Sequence, residues 1–171
     1  MKLLAMDTSF DDTAVAVLDG PTRVLASVVS AQWEAHEPYG GVVPEVASRL
    51  HVERILPTID RALSESGIEL EAIEAVAATD RPGLLGSLLV GLDAAKGLAF
   101  GRGVPLACVH HIEAHVYAVF LQEPTLRPPL VCLVASGGHT TLIHLERHGR
   151  MEVLGRTRDD AAGEAFDKVA K

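Results

Sequence analysis

The sequence has few cysteines and no long apolar run. Its two cysteines, Cys108 and Cys132, stand in apolar, strand-like surroundings, which argues against a secreted disulfide scaffold. No apolar run approaches the ~20 residues that span a bilayer. The N-terminal run Leu3–Met6 is too short for the core of a signal peptide. These absences predict a cytoplasmic protein that does not enter a membrane.

Basic residues are also scarce. The chain has 15 Lys and Arg against 23 Asp and Glu, a formal net charge of −8. Affinity for a nucleic-acid backbone comes from clustered Lys and Arg, so this chain is not expected to grip one alone. Hydrophobic residues make up 48% of the 171 positions, which excludes a disordered chain. The length suggests one domain, or one domain and a piece of another.

Apolar periodicity and turn signals predict a first domain over residues 1–122. Its predicted elements are strands over 2–6, 14–18, 24–29, 75–79 and 105–109 and helices over 45–63, 84–100 and 111–121. Pro57 should kink or interrupt its helix. The helix over 84–100 is apolar nearly all round and is expected to be buried. The order predicts an α/β fold of ribonuclease-H type, a mixed sheet flanked by helices.

The remainder of the chain repeats the opening pattern. Residues 123–129 hold three of the nine prolines and are predicted to be a linker. Strands are expected over 130–135, 141–145 and 151–154, and a helix from near Ala161 that still runs at Lys171. Residues 130–171 are therefore expected to begin a second, duplicated domain that is truncated. Pairs of such domains, with a nucleotide in the cleft, form the actin-like ATPase architecture.

Two turns at matching places in the two units carry small polar residues. The turn after the first strand contains Asp7, Ser9, Asp11 and Asp12, which could cup phosphate oxygens or hold a hydrated cation; an ordinary acidic hairpin is the alternative. The matching turn runs Ser136-Gly137-Gly138-His139-Thr140, and its glycines permit close approach of a ligand. Because the pattern recurs, we expect both turns to face one cleft and His139 to join the phosphate or cation site.

The segment His110-His111-Ile112-Glu113-Ala114-His115 is the sharpest local signal. His111 and His115 are four residues apart, so on a helix they share a face and could chelate one metal ion. Two exposed or capping histidines are the alternative. In a zinc peptidase the general-base Glu directly follows the first His. Glu113 lies two positions after His111, roughly 200° round the helix, which argues against a peptidase.

Two further segments have structural explanations beside functional ones. Gly83-Leu84-Leu85-Gly86-Ser87 opens a predicted helix, where glycines either bind an anion or permit tight packing; packing is favoured. Asp160 is predicted to cap the last helix. An inward-facing Asp167 on that helix could bind ligand hydroxyls.

Taken together, these motifs resemble the TsaD family (also called Gcp), the tRNA threonylcarbamoyladenosine synthases. The resemblance runs along essentially the whole chain, through DTSFDDT, YGGVVPEVASRLH, RPGLLGSLLVG, VHHIEAH, ASGGHTTLI and DDAAGEAFDK. It implies an actin-like fold and transfer of a threonylcarbamoyl group from threonylcarbamoyl-AMP to N6 of adenosine 37, beside the tRNA anticodon. The chain departs from the family pattern at Asp7, Phe10 and Asp80-Arg81, where Glu, Cys and small residues are usual.

The resemblance also implies ligands and partners. It implies one Fe²⁺ or Zn²⁺ per subunit on His111 and His115, and Mg²⁺ with the nucleotide. The residues that match the family's substrate site are Val134, Ala135, Ser136, Gly137, Gly138 and Asp167. The implied partners are threonylcarbamoyl-AMP or an ATP-like nucleotide, tRNA, a TsaB-like paralogue and a TsaE-like ATPase. The family's second half, with a third metal ligand, has no match, so we expect this chain to be inactive alone.

Two alternatives to the acyltransferase stay open at this point. One is a non-catalytic scaffold of the TsaB type, which lacks the metal site; the presence of His111 and His115 favours the enzyme. The other is a metallopeptidase, which the position of Glu113 disfavours.

Overall fold

The computed structural model describes residues 1–170, so the expectation that a helix still runs at Lys171 lies outside the described residues. The chain forms two compact units, residues 1–114 and the residues from His115 onward. The division falls inside a helix, and the predicted boundary of 122 with a linker to 129 stays a prediction. None of the helices in the described part is both long enough and apolar enough to cross a membrane.

The first unit is built on a five-stranded mixed sheet in the order β3-β2-β1-β4-β5. Its strands are β1 (Lys2–Asp7), β2 (Thr13–Asp19), β3 (Arg23–Ser30), β4 (Ala75–Arg81) and β5 (Leu106–His110). β1 is antiparallel to β2 and parallel to β4, and β4 is parallel to β5. The carboxyl ends of β1, β4 and β5 therefore meet at one edge, which collects Asp7, Thr79 and the start of the next helix.

Two helices, α2 (Pro44–Ser66) and α3 (Leu85–Arg102), contact each other and pack on one face of this sheet. The single-turn helix α1 (Trp33–His36) precedes α2, and α4 (His111–Gln122) follows β5. The core lies between α2, α3 and the sheet and includes the fully buried Leu4, Val17 and Val76. α1, a single turn, was not predicted. Pro57 does not interrupt α2, and its side chain is exposed.

The prediction that the helix over 84–100 is buried is wrong. Small residues of α3 face the core, namely Gly91, Ala95 and Ala99, whereas Leu85, Leu89 and Phe100 are 74%, 45% and 92% exposed. The composition is apolar on every face, so periodicity gave no sign of which face is covered.

The second unit is a three-stranded antiparallel meander followed by a helix. It comprises β6 (Leu130–Ala135), β7 (Thr140–Arg147), β8 (Arg150–Arg156) and α5 (Ala162–Ala170), with strand order β6-β7-β8. The opening pattern of three strands and a helix thus recurs, as predicted. Most of α4 also belongs to this unit, which begins at His115. Tyr117 of α4 stacks on His148 at 5.8 Å between ring centroids, and its hydroxyl accepts a hydrogen bond from the Gly149 amide.

Candidate functional site

The first cluster of interest joins the ends of β1 and β4 to the first residue of α4. Asp7 Oδ2 lies 2.8 Å from His111 Nδ1 and accepts a hydrogen bond from Thr79 Oγ1 at 2.9 Å. Asp7 Oδ1 accepts the Ser9 amide at 2.7 Å, and Ser9 Oγ lies 3.1 Å from His111 Nδ1. We call Asp7, Ser9, Thr79 and His111 the Asp7 cluster.

The charge of Asp7 decides which ring nitrogen of His111 carries the proton. Burial alone would raise the pKa of Asp7, but hydrogen bonds from His111 and Ser9 outweigh it and hold that pKa far below its usual range. Asp7 is therefore a carboxylate that only accepts hydrogen bonds, so His111 Nδ1 carries the proton that it receives. In the neutral ring, the lone pair is then on Nε2.

The turn after β1 is held in place by close packing. Leu84 N–H donates to the Ser9 carbonyl at 2.8 Å, and a Cβ built on Gly83 would lie 2.3 Å from that same oxygen. Thr8 Oγ1 donates to the Ser87 carbonyl at 2.7 Å and accepts from Gly91 N–H at 3.1 Å. The glycine-rich segment before α3 thus serves packing, as the sequence favoured, and this packing fixes Ser9 beside His111.

The other carboxylates of the turn play no part in this cluster as the structure describes it over residues 1–170. The side chain of Asp12 is largely exposed. Partial loss of its hydration and the negative charge of Asp11 raise its pKa. Asp80, in the departure from the family pattern, pairs with Arg81 at 2.6 Å. The proposed cation role of Asp11 and Asp12 stays a prediction.

His111 and His115 both lie on α4, one turn apart. Their spacing fits two ligands to one ion, and a carboxylate on the remote ring nitrogen is a usual support for a metal-binding histidine. Among residues 1–170, no group of three or more His, Cys, Asp or Glu side chains is placed to hold a metal ion. The donor set thus fits two ligands of a metal site, and its assignment stays a prediction.

In the second unit, the glycine turn packs against the start of α5. Ser136 Oγ accepts from His139 N–H at 3.1 Å, while the Ser136 carbonyl accepts from Gly163 N–H at 3.0 Å. A Cβ built on Gly163 would lie 2.8 Å from Gly137 Cα, so only glycine fits there. A Cβ on Gly137 or Gly138 would meet nothing within 4 Å. The turn is therefore held by its contacts with α5, while the space beside Gly137 and Gly138 is free of protein atoms.

The remaining predicted residues lie on β6 and α5. Val134 and Ala135 end β6 and pair with Thr141 and Thr140 of β7, and Asp167 is exposed on α5. Asp160 does not cap α5, contrary to the prediction. Thr140 Oγ1 accepts the Ala162 amide instead, and the Asp160 carboxylate binds Lys168 Nζ at 2.5 Å, an ion pair that raises the pKa of Lys168.

Sequence reasoning missed Thr79 and the pairing of Asp7 with His111. Asp7 and His111 are 104 residues apart, and the signal that could have joined them was the parallel order of β1, β4 and β5, whose carboxyl ends must meet at one edge. A polar residue at the end of each of these strands would then have indicated a shared cluster.

Comparison with solved structures identifies the fold. YeaZ from Pseudomonas aeruginosa matches with a TM-score of 0.60 and 23% identity over 90% of this chain and 64% of its own. EutJ from Carboxydothermus hydrogenoformans matches at 0.60 and 16% over 99% and 56%. The ROK hexokinase from Thermus thermophilus matches at 0.53 and 22% over 96% and 51%. These are actin-like ATPase folds, which confirms the predicted fold class.

Comparison with sequences identifies the family. The model described as TsaD, tRNA N6-adenosine threonylcarbamoyltransferase, matches residues 23–171. The tRNA N6-adenosine threonylcarbamoyltransferase of Symbiobacterium thermophilum is 59% identical over 99% of this chain and 50% of its own length. That of Caldicellulosiruptor saccharolyticus is 54% identical over 100% and 51%. The chain spans about half the length of these relatives, and it belongs to the TsaD family of tRNA N6-adenosine threonylcarbamoyltransferases.

Proposed function

We propose that this chain supplies the first half of an acyltransferase that moves a threonylcarbamoyl group from threonylcarbamoyl-AMP to N6 of adenosine 37 in tRNA. The observation that carries the proposal is the Asp7 cluster, which fixes the orientation of His111 at the carboxyl edge of a sheet whose sequence belongs to this family. Binding and catalytic sites in open α/β sheets commonly lie outside that edge.

The reaction needs an oriented electrophile more than a protein nucleophile. The N6 amine attacks the carbamoyl carbon, a C–N bond forms, the C–O bond to phosphate breaks, AMP leaves and N6 loses a proton. No covalent intermediate on Ser or Cys is required. Backbone N–H groups of the turn that contains Gly137 and Gly138 are suited to hold phosphate oxygens, because successive amides in a turn form an anion-binding concavity.

His111 and His115 are the residues of this chain that would hold the Fe²⁺ or Zn²⁺ ion of the family. When bound, such an ion supplies Lewis-acid polarisation of a carbonyl or phosphoryl oxygen. The contribution of the Asp7 cluster is to keep the proton of His111 on Nδ1 and the ring in one orientation. Asp11 and Asp12 of the first unit are proposed as ligands of a hydrated cation such as Mg²⁺. His139 of the second unit is proposed separately as a contact to nucleotide phosphates.

The glycine turn of the second unit is proposed to hold the nucleotide, with Val134, Ala135, Ser136 and Asp167 around it. Its shape gives a clean test, because a side chain at Gly137 meets no protein atom within 4 Å. Residues 1–171 fused to the second half of the Symbiobacterium thermophilum relative, here called the completed fusion, supply the remainder of the site.

We expect Gly137→Leu in the completed fusion to weaken nucleotide binding by at least ~10-fold, since the side chain occupies the space of the ligand while the fold is undisturbed. Isothermal titration with ATP measures the change. Gly155→Leu is the matched control, because Gly155 on β8 also has nothing within 4 Å of its Cβ. Equal affinities of Gly137→Leu and the parent would show that these glycines serve the hairpin and not the nucleotide.

We further propose that a TsaB-like paralogue docks on the first unit. Val52 and Leu56 of α2 and Leu89 of α3, which we call the apolar groove, are 64%, 61% and 45% exposed and line one surface depression. Clustered exposed apolar side chains of this kind mark protein interfaces. The tRNA and a TsaE-like ATPase complete the proposed set of partners. Because a chain of net charge −8 lacks the basic surface to hold tRNA alone, we propose that tRNA binding needs partner proteins.

The two alternatives are disfavoured by the same residues. A scaffold of the TsaB type has no use for the Asp7 cluster. For a peptidase, Glu113 stands two positions after His111 on α4 and not beside it. The expectation that residues 1–171 do not catalyse transfer alone stays a prediction.

A further inference from the structure

A network of buried, hydrogen-bonded polar side chains, here called the polar network, contacts the turn that carries Asp7 and Ser9. Thr13, Gln32, His36 and His51 are each no more than 3% exposed. His51 Nε2 lies 3.0 Å from the Phe10 carbonyl, and its Nδ1 lies 2.8 Å from Thr13 Oγ1 and 3.3 Å from Gln32 Nε2. Burying such groups is costly unless each finds a partner, and here each does.

The two backbone groups at the ends of the polar network fix the direction of its hydrogen bonds. The Phe10 carbonyl can only accept, so His51 Nε2 donates, and His51 Nδ1 accepts from Thr13 and Gln32. At the other end the Val43 amide can only donate, to His36 Nδ1 at 3.4 Å, so His36 Nε2 donates to Gln32 Oε1 at 3.3 Å. Burial lowers the pKa of His51, in keeping with this neutral state.

The polar network connects two separate segments of the polypeptide. One is the turn over 7–13, where the carbonyls of Ser9 and Phe10 are held in succession by Leu84 N–H and His51 Nε2–H. The other is the segment over 37–43 before α2, which is exposed over residues 37–41 and contains Tyr39 and two glycines. Packing alone could be satisfied by apolar side chains, whereas a fully paired polar network selects one backbone arrangement.

We propose that His51 is a positioning residue, which sets the turn over 7–13 through the Phe10 carbonyl and thereby aligns Asp7 and Ser9 with His111. Gln32 and His36 extend the same control to the segment over 37–43. The consequence for acyl transfer rests on the proposed function, but the alignment of His111 does not. The alignment can therefore be tested without any catalysis.

The test measures the ring nitrogens of His111 by ¹⁵N NMR in the metal-free 171-residue chain at neutral pH. In the parent, His111 should carry its proton on Nδ1. His51→Leu, which can neither donate nor accept, should shift the ratio of the two His111 tautomers by about fivefold, the equivalent of one net hydrogen bond. His51→Gln, which keeps a donor and an acceptor, should restore part of the parent ratio.

Two further variants keep the test decisive. Thr13→Val removes one hydroxyl and should shift the ratio in the same direction by less, which covers the case in which His51→Leu fails to fold. Ile55→Ala is the matched control, because Ile55 is buried one turn further along α2 and belongs to the apolar core. An unchanged His111 ratio in the folded His51 or Thr13 variants, or an equal change in Ile55→Ala, would overturn the proposal. A completed fusion that fails to transfer the acyl group, while the His111 shifts of the parent chain are as expected, would instead count against the proposed function.

Discussion

Asp7→Asn should weaken metal binding by His111 and His115 by about 10–100-fold, the usual cost of removing the carboxylate that supports a metal-bound histidine. The Asp7 carboxylate only accepts, which keeps the His111 proton on Nδ1 at 2.8 Å. An asparagine amide can donate as well as accept, so it permits the other tautomer, whose proton occupies Nε2. Titration of the completed fusion with Zn²⁺ measures the affinity, and ¹⁵N NMR of the metal-free protein measures the tautomer.

Asp11→Asn is the matched control for this prediction. It removes the same charge from the same turn, but Asp11 is not part of the Asp7 cluster. The His111 tautomer and the Zn²⁺ affinity of the His111–His115 site, read from the imidazole signals of these two residues, should therefore stay close to those of the parent, whatever Asp11 contributes to a separate cation site. An Asp7→Asn protein with an unchanged tautomer and unchanged Zn²⁺ affinity would show that Asp7 does not support His111. Equal losses in both variants would assign the effect to the net charge of the turn.

Leu56→Glu should weaken association with the TsaB-like paralogue by at least ~10-fold, because it places a charge in the centre of the apolar groove, where buried interface residues dominate binding. Leu56 is already 61% exposed, so the fold should tolerate the change. Analytical ultracentrifugation of the mixed proteins measures the association. Val29→Glu is the matched control, since Val29 is 54% exposed on β3, outside the groove.

Unchanged association in Leu56→Glu would remove the apolar groove from the partner surface. A groove that pairs this chain with a second copy of itself would show a different result: the parent would self-associate without the paralogue, and Leu56→Glu would abolish that self-association. That outcome would also contradict the proposed occupant.

The order of the strands and helices could be predicted from sequence because local signals fix them. β2 and β3 are joined by an Asp-Gly turn, and β4 begins with the apolar run Ala75–Ala78, so period and turn chemistry agree. The exposed face of α3 could not be predicted, since leucines and alanines occur on every side. The predicted interruption at Pro57 is wrong, because α2 continues through it; a kink at that position stays a prediction.

The candidate site was only partly visible in the sequence. His111, His115 and the glycine turn stand in local motifs, so their residue types and spacing identified them. Asp7 was noticed as a candidate phosphate or cation residue, but its contacts with Thr79 and His111 depend on strand order. The polar network from Val43 through His36, Gln32 and His51 to Phe10 leaves no periodic signal, because its members come from two helices, the residues that precede them and the turn after β1.

The most direct test of the central claim is the amount of threonylcarbamoyladenosine formed in tRNA by the completed fusion. The fusion is incubated with threonylcarbamoyl-AMP, unmodified tRNA and the TsaB-like and TsaE-like proteins of Symbiobacterium thermophilum. The modified nucleoside is then measured by mass spectrometry after digestion of the tRNA. We predict that the modified nucleoside forms at position 37, that His111→Ala abolishes it, and that His144→Ala, which removes a histidine from β7, leaves it unchanged. Equal product from His111→Ala and the parent fusion would contradict the assignment of the Asp7 cluster to acyl transfer.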